Sequence, residues 1–319
     1  MVNASAPASE ADMVSAARDT LGQVGVLLPQ SFTAATPLIE QRDAVRRLEE
    51  AGFTAAWGNE RIGGKDTLVQ LAFLLSATER IVFGTSVMNI WARAPQTAHG
   101  AAAMLAQSYP RRLILGMGVG YPQQAAAVGR EFVSPVRTMR TYLEAMTAPG
   151  NPPFTYDPAA ITYPRLVGAN GPKMLALARD AADGAVPSGW TPEFTAEARR
   201  VLGPGKLLVM GITLIPDADK DRAWKAARDS VALLLAVVPD RAKTLRRLGY
   251  TERDITEVSD RLVNAMVAYG EPAAIRAKVA EHLAAGADHV AFLPSETQGD
   301  QEQLDLLRIA PVITDVERP

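Results

Sequence analysis

At three well-separated points a glycine stands between the end of a helical stretch and the start of an apolar one: Ala51-Gly52-Phe53, Asp183-Gly184-Ala185 and Ala285-Gly286-Ala287. The same cycle fills the intervals between them. Short apolar runs at 24–28, 53–57, 81–87, 113–115, 165–167, 184–186, 207–215 and 289–293 read as eight strands. They are continuous rather than alternating, as strands covered on both faces should be. The helices between them announce their starts with Thr36-Pro37, Asp66, Pro95, Pro135, Gly171-Pro172, Thr191-Pro192 and Pro272, where a capping oxygen or a proline costs the first turn nothing. Strands separated by helices must pair in parallel through right-handed crossovers. Eight such units close into a single (β/α)8 TIM barrel more readily than they make an open sheet.

Two segments depart from the cycle. Residues 231–268, between strands seven and eight, hold more helix than one crossover needs; two or three helices are expected there, over the barrel mouth. The proline-rich stretch 151–162 reads as a flap or a linker. The first twenty residues carry no basic start and no apolar core, so a flexible, solvated tail is expected over 1–20, with the barrel domain over 21–319 and no export signal.

Composition closes several functional classes. With 33 basic against 35 acidic residues there is no electrostatic footprint for nucleic acid or an anionic membrane. No cysteine is present, which removes thiolate chemistry and Cys-ligated metals, and three histidines nearly exclude an all-histidine site. No metal is expected. The longest apolar run, Val231 to Val238, is far short of the roughly 20 residues that span a bilayer. A cytoplasmic protein acting on a small molecule is the default.

In a TIM barrel the chemistry sits at the C-terminal strand ends. The residues just past each strand are Gln30 and Ser31; Asn59, Glu60 and Arg61; Ser86 to Arg93; Gly118 to Tyr121; Gly168 to Gly171; Ser188 to Trp190; Pro216; and Ser295 with Glu296. Val167-Gly168-Ala169-Asn170-Gly171-Pro172 is the best anion site. A turn running into a helix start aims free N–H groups and the positive dipole end at one point, here the amides of Ala169, Asn170 and Gly171. Gly116-x-Gly118-x-Gly120 invites a dinucleotide reading but lacks the third glycine and the later acid of that fingerprint. A neighbour pressed against the backbone explains these glycines more simply. Asn59-Glu60-Arg61 is either a solvated loop, the usual fate of a charged triplet, or a carboxylate beside a guanidinium that holds Glu60 ionised and Arg61 ready for an anionic or carbonyl oxygen. Asn89, Trp91 and Arg93 are either packing residues or the wall of a substrate pocket. His99, His282 and His289 read as structural.

These segments, together with Tyr109-Pro110-Arg111-Arg112-Leu113-Ile114-Leu115, Lys173-Met174 and Ala182-Asp183-Gly184, resemble the luciferase-like monooxygenase superfamily, in its deazaflavin branch. Asn89-Ile90-Trp91-Ala92-Arg93, Leu202-Gly203-Pro204-Gly205, Leu245 to Gly249 and Ser259 to Val263 are similar to an actinobacterial subfamily of F420-dependent oxidoreductases. The resemblance implies coenzyme F420, or alternatively FMN, bound against a bulge with a non-prolyl cis peptide at Ser86-Val87. It implies cofactor contacts from Asn59, Ser86, Val87, Gly118, Val119, Gly120, Gly168, Ala169, Asn170, Gly171 and Ser188. Glu60-Arg61 and Tyr121 stand where sugar-phosphate dehydrogenases of that branch carry catalytic Asp-His and Glu, so the family's acid and base roles do not carry over directly; Glu60, Arg61 and Tyr121 are the catalytic candidates, with Asn89, Trp91 and Arg93 as candidate substrate contacts. Hydride transfer between the deazaflavin C5 and a small organic substrate is the implied activity. An FMN-dependent monooxygenase and a non-catalytic cofactor carrier are the alternatives, and a homodimer is the expected assembly.

Overall fold

A computed structural model describes residues 10–28, 37–148 and 161–294. The chain begins with α1 (Glu10–Leu21) and runs through β1 (Val24–Leu27), α2 (Leu38–Glu50), β2 (Ala55–Gly58), α3 (Thr67–Leu75) and β3 (Val82–Thr85). Then come β4 (Met88–Asn89), α4 (Pro95–Ser108), β5 (Leu113–Gly118), α5 (Pro122–Ala126), α6 (Pro135–Met146), β6 (Arg165–Val167), α7 (Pro172–Ala181) and β7 (Gly184–Ala185). The last part comprises α8 (Pro192–Leu202), β8 (Leu207–Pro216), α9 (Lys220–Val237), α10 (Arg241–Arg247), α11 (Glu252–Thr256), α12 (Asp260–Met266), β9 (Val267–Gly270), α13 (Pro272–Ala284) and β10 (His289–Pro294).

The strands pair in parallel around a closed path, β10-β1-β2-β3-β5-β6-β7-β8, and β8 pairs back with β10. Eight staves therefore make a TIM barrel, as the spacing predicts. Two short strands are additions. β4 continues the third stave beyond a break and pairs with the top of β5, Asn89 opposite Gly118. β9 follows α12 without a turn and pairs with residues 213–216, the upper end of β8.

Local chemistry sets the junctions. Asp66 accepts from the Leu68 and Val69 amides, and Thr191 from the Phe194 amide, so both act as the expected N-caps. Gly52 and Gly286 have φ of +93° and +101°, a left-handed conformation that favours glycine where a helix turns into a strand. The start of α2 differs from expectation: Pro37 is its N-cap and Leu38 its first residue, while Thr36 lies outside the described residues.

The N-terminal segment needs correction. Residues 10–21 are not a solvated tail but an amphipathic helix whose Val14, Ala17 and Leu21 plug the bottom of the barrel against Ala55, Trp57, Val82 and Leu207. Arg18 anchors it, donating to Asp288 at 2.9 Å and to the carbonyls of Pro204 and Lys206 at 2.6 and 2.8 Å. Asp288 also takes Arg199 Nη2 and the Leu208 amide. The histidines are structural, as read: His289 lies fully buried beside Trp57, His282 meets Thr195, and His99 Nδ1 meets the Tyr163 hydroxyl at 2.8 Å.

Residues 231–268 hold the end of α9 and three further helices, α10, α11 and α12, as the spacing predicts, but much of this segment does not cover the mouth. Arg247 of α10 pairs with Glu197 of α8, and Tyr250 donates to Glu193, so this part buttresses the outside of the barrel. Only its first half reaches inward: Leu234 and Arg241 pack against Gly189 above β7. The 151–162 flap lies outside the described residues up to residue 160. Among the described residues no helix is long and apolar enough to cross a membrane, and no cluster of His, Asp or Glu could hold a metal ion.

Candidate functional site

The third stave breaks after Thr85. The Ser86–Val87 peptide is cis, and the two residues step out of the ladder before β4 resumes it. Neighbours hold the break from both sides: the Ser86 amide donates to Gly58 O at 2.6 Å, Asn59 Nδ2 to Ser86 O at 2.7 Å, and the Glu60 amide to Val87 O at 3.0 Å. The Val87 side chain is left half-buried at the top of the barrel. A Cβ at Gly118 would overlap it, and one at Gly168 would come within 3.2 Å. The bulge, the end of β5 and the turn after β6 therefore meet around one valine.

This revises what the glycines do. Gly84 gives its space to the Trp57 ring inside the barrel, and Gly116 gives its space to the Thr85 carbonyl. Neither faces the mouth. Gly118 and Gly168 accommodate Val87, and Gly120, at φ +56°, makes room for Gln124 at the start of α5. The exposed floor is thus Val87 flanked by backbone rather than bare glycine.

Glu60 is 5% exposed and fully engaged. Oε1 takes a short ion pair from Arg93 Nη2 and the Thr67 amide at 3.3 Å, while Oε2 takes the Asn89 amide at 2.9 Å. The guanidinium beside Glu60 is therefore Arg93, not Arg61, which is exposed on the outer side of the loop. Burial pushes the Glu60 carboxyl above its ordinary range, and Arg93 together with the two amides only partly offsets that. Arg93 also reaches the exposed Asp66 at 2.9 Å, so its charge is shared between two carboxylates. Asn89 is buried, its Oδ1 accepting from the Trp91 amide at 3.0 Å, and Trp91 Nε1 donates to Val119 O at 2.7 Å. These residues brace the bulge from below. Tyr121 is exposed just above β5.

On the other side of Val87, α7 starts at Gly171. Among the described residues the amides of Ala169, Asn170 and Gly171 donate to no carbonyl or side chain. Nothing lies within 4 Å of a Cβ added to Gly171. The Asn170 carboxamide is held aside, Oδ1 accepting from Trp190 Nε1 at 2.9 Å and the Ser188 amide at 3.2 Å. Ala169 is fully buried, so the accessible amide donors ahead of this ten-residue helix are those of Asn170 and Gly171, which suit a phosphate. Gln30, Ser31, Ser295 and Glu296 lie outside the described residues.

Arg241 was not anticipated. A guanidinium in a helix of the composition Arg-Ala-Lys-Thr-Leu-Arg-Arg reads as solvated, yet this one is 6% exposed. It donates to the carbonyls of Gly189 and Ser188 at 2.6 and 2.9 Å and lies 4.4 Å over the Trp190 ring. Burial pulls it down to about 10, and the Tyr121 phenol opposes that shift.

Comparison with known proteins places the fold. The family model described as luciferase-like monooxygenase matches residues 22–289. The chain belongs to the luciferase-like monooxygenase family. Its relatives include a Mycobacterium tuberculosis protein named "putative coenzyme F420-dependent oxidoreductase", 26% identical, with 87% of this chain and 96% of that protein covered. Among solved structures, an F420-dependent secondary alcohol dehydrogenase in complex with an F420-acetone adduct superposes with a TM-score of 0.69 at 18% identity, covering 92% of this chain and 99% of that one. The FMN-bound oxygenating constituent of 3,6-diketocamphane monooxygenase from Pseudomonas putida gives 0.67 at 14%, covering 93% and 98%. At those identities the two structures speak for the luciferase-like fold alone.

Proposed function

We propose that this luciferase-like protein is an F420-dependent oxidoreductase that moves a hydride between the deazaflavin C5 and a small organic substrate. The observation that carries it is the meeting of the Ser86–Val87 bulge, Gly118 and Gly168 within one step of unengaged amides on α7. A planar ring needs an apolar surface to lie on and its tail needs an anion site. Val87 with its flanking backbone offers the first, and the accessible amides of Asn170 and Gly171 the second. The relative named for F420 supplies the preference for a deazaflavin.

When bound, such a cofactor carries the hydride chemistry itself, and the protein's part is to bind, orient and exclude water. Asn59, Ser86 and Glu60 fix the bulge through backbone and carboxamide hydrogen bonds. Glu60 has no free oxygen and serves as a positioning residue. Tyr121, exposed above β5, and Arg61, exposed in the loop after β2, are the candidates for contact with a substrate.

A second reading is an FMN-dependent monooxygenase, favoured by the fold shared with the FMN-bound Pseudomonas putida enzyme. Titrating the purified protein with F420 and FMN, by quenching of cofactor fluorescence, separates the two. The proposal expects micromolar or tighter F420 binding and weaker FMN binding; the reverse order overturns it. Tight F420 binding without turnover on alcohols, enones or sugar phosphates would leave a cofactor carrier.

A further inference from the structure

A guanidinium removed from water needs a counter-charge, because carbonyl oxygens and an aromatic face replace hydration without neutralising it. Arg241 is 6% exposed, and no carboxylate among the described residues pairs with it. Its Nε is buried without a hydrogen-bond partner. The two bonds it makes, to Ser188 O and Gly189 O, fasten α10 to the loop after β7. A fastening of that kind does not require a charge; a neutral amide would donate equally well at a smaller desolvation cost.

Its position is more specific than its bonding. The loop that Arg241 grips also binds Asn170 through the Ser188 amide and Trp190 Nε1, so the guanidinium and the start of α7 are joined through one loop. The only ionisable side chain recorded as acting on its charge is Tyr121, from the loop after β5. Since β6 lies between β5 and β7 in the barrel, Arg241 lies near the corner of the rim where the amides of Asn170 and Gly171 are open.

We propose that Arg241 is the counter-charge of an anion subsite at this corner, holding the phosphate end of the bound ligand together with the amides of Asn170 and Gly171. The inference rests on the cofactor reading for the identity of that phosphate, and on the buried, unpaired guanidinium for its existence. It gives the segment after β8 a role in binding: α9 and α10 complete the anion site from above.

The test compares F420 with its phosphate-free deazaflavin riboside core. The wild-type protein is expected to bind F420 at least tenfold tighter than the core. In R241Q, which keeps donors for the two carbonyls but no charge, that preference falls below threefold while core affinity is unchanged. In R241K, which keeps the charge, most of the preference survives. Equal losses for both ligands in R241Q, or no loss, would reduce Arg241 to a structural clamp and overturn the proposal. If R241Q does not fold, R241K decides: loss of the phosphate preference there is equally fatal. If the wild type binds neither deazaflavin, FMN and riboflavin replace the pair. Should no flavin bind either, the cofactor reading fails alone, and inorganic pyrophosphate becomes the probe. A rise in the wild-type melting temperature that is absent in R241Q sustains the anion site, whereas no rise in the wild type ends it.

Discussion

At the N-terminal end of the barrel, charges meet charges in a closed network. Arg18 and Arg199 share Asp288, and Lys206 reaches both Glu10 and the Ala182 carbonyl. Trp57 Nε1 donates to His289 Nε2, whose Nδ1–H donates to Gly22 O. At the C-terminal end, Arg241 meets carbonyls and an indole, three amides donate to no group among the described residues, and a valine stands half-exposed between two glycines. Both ends come from the same strands. The difference teaches where this fold spends polar groups on holding itself together and where it leaves them available, in keeping with the general division of labour between the two faces of such barrels.

The Glu60–Arg93 pair tests where the boundary between the two regimes runs. It lies near the rim, yet Glu60 itself is buried with every oxygen engaged within the chain, so it behaves like the floor. Replacing Glu60 by Ala strands Arg93, whose Nη1 is already buried without a partner and whose other contact, Asp66, is exposed. Removing one member of a buried pair costs on the order of 3–5 kcal/mol, and urea denaturation of E60A should show a loss of that size. A stable E60A protein defective only in turnover would instead place Glu60 in the chemistry.

Next in size is a pH effect carried by His289 in the floor and, in the same direction, by His282 between α8 and α13, which burial holds down to about 3. Burial holds His289 down to about 4, against about 6.5 in an unfolded chain. Between those values the unfolded state binds a proton that the folded state refuses, so stability falls as pH drops from about 6.5 to about 4, by roughly 3 kcal/mol from this residue. Protonating Nε2 also removes the acceptor for Trp57. Glu60 and Asp183, both pushed up by burial, act against this slope. The informative measurement is therefore the difference between wild type and H289Q melting profiles, with a flatter acid limb expected in the variant.

A smaller effect separates two kinds of glycine. Gly84 looks in sequence like part of a cofactor face, but a Cβ there overlaps the Trp57 ring in the barrel interior. Overpacking a filled core costs about 1–3 kcal/mol. G84A should lose stability by that amount, seen in denaturant midpoints, with no selective loss of phosphate-bearing ligands.

The barrel was legible because each crossover repeats the same signs: an apolar run, a capping residue, a helix, a glycine. The floor was half-legible. Val14, Ala17 and Leu21 have the i, i+3, i+7 spacing of a helix face, but the surrounding Ala, Ser and acidic residues resemble a tail, and the helix becomes visible only once there is an open barrel end to fill. β9 escaped notice because Val267 to Gly270 continues from α12 with no turn residue between them. At the rim, backbone-based features could be read in advance, since glycine spacing and a Pro at a helix start are local. Side-chain pairings could not. Glu60 finds Arg93 across 33 positions rather than its neighbour Arg61, and Arg241 reaches Ser188 across 53, distances over which sequence carries no preference.

Gly171 sharpens the comparison from the other side. Its φ of −162° is extended backbone that any residue adopts, and nothing lies within 4 Å of an added Cβ. A side chain there should leave folding untouched, within about 0.5 kcal/mol for a surface change of this kind. Aspartate would place a carboxylate next to the open amides, where it competes with a ligand phosphate for the same donors and repels it. G171D is therefore expected to melt like the wild type and to bind the phosphate-bearing cofactor at least tenfold more weakly, a loss of about 1.4 kcal/mol, with the phosphate-free core unaffected. Unchanged affinity in a well-folded G171D would mean that the anion is held elsewhere on the rim.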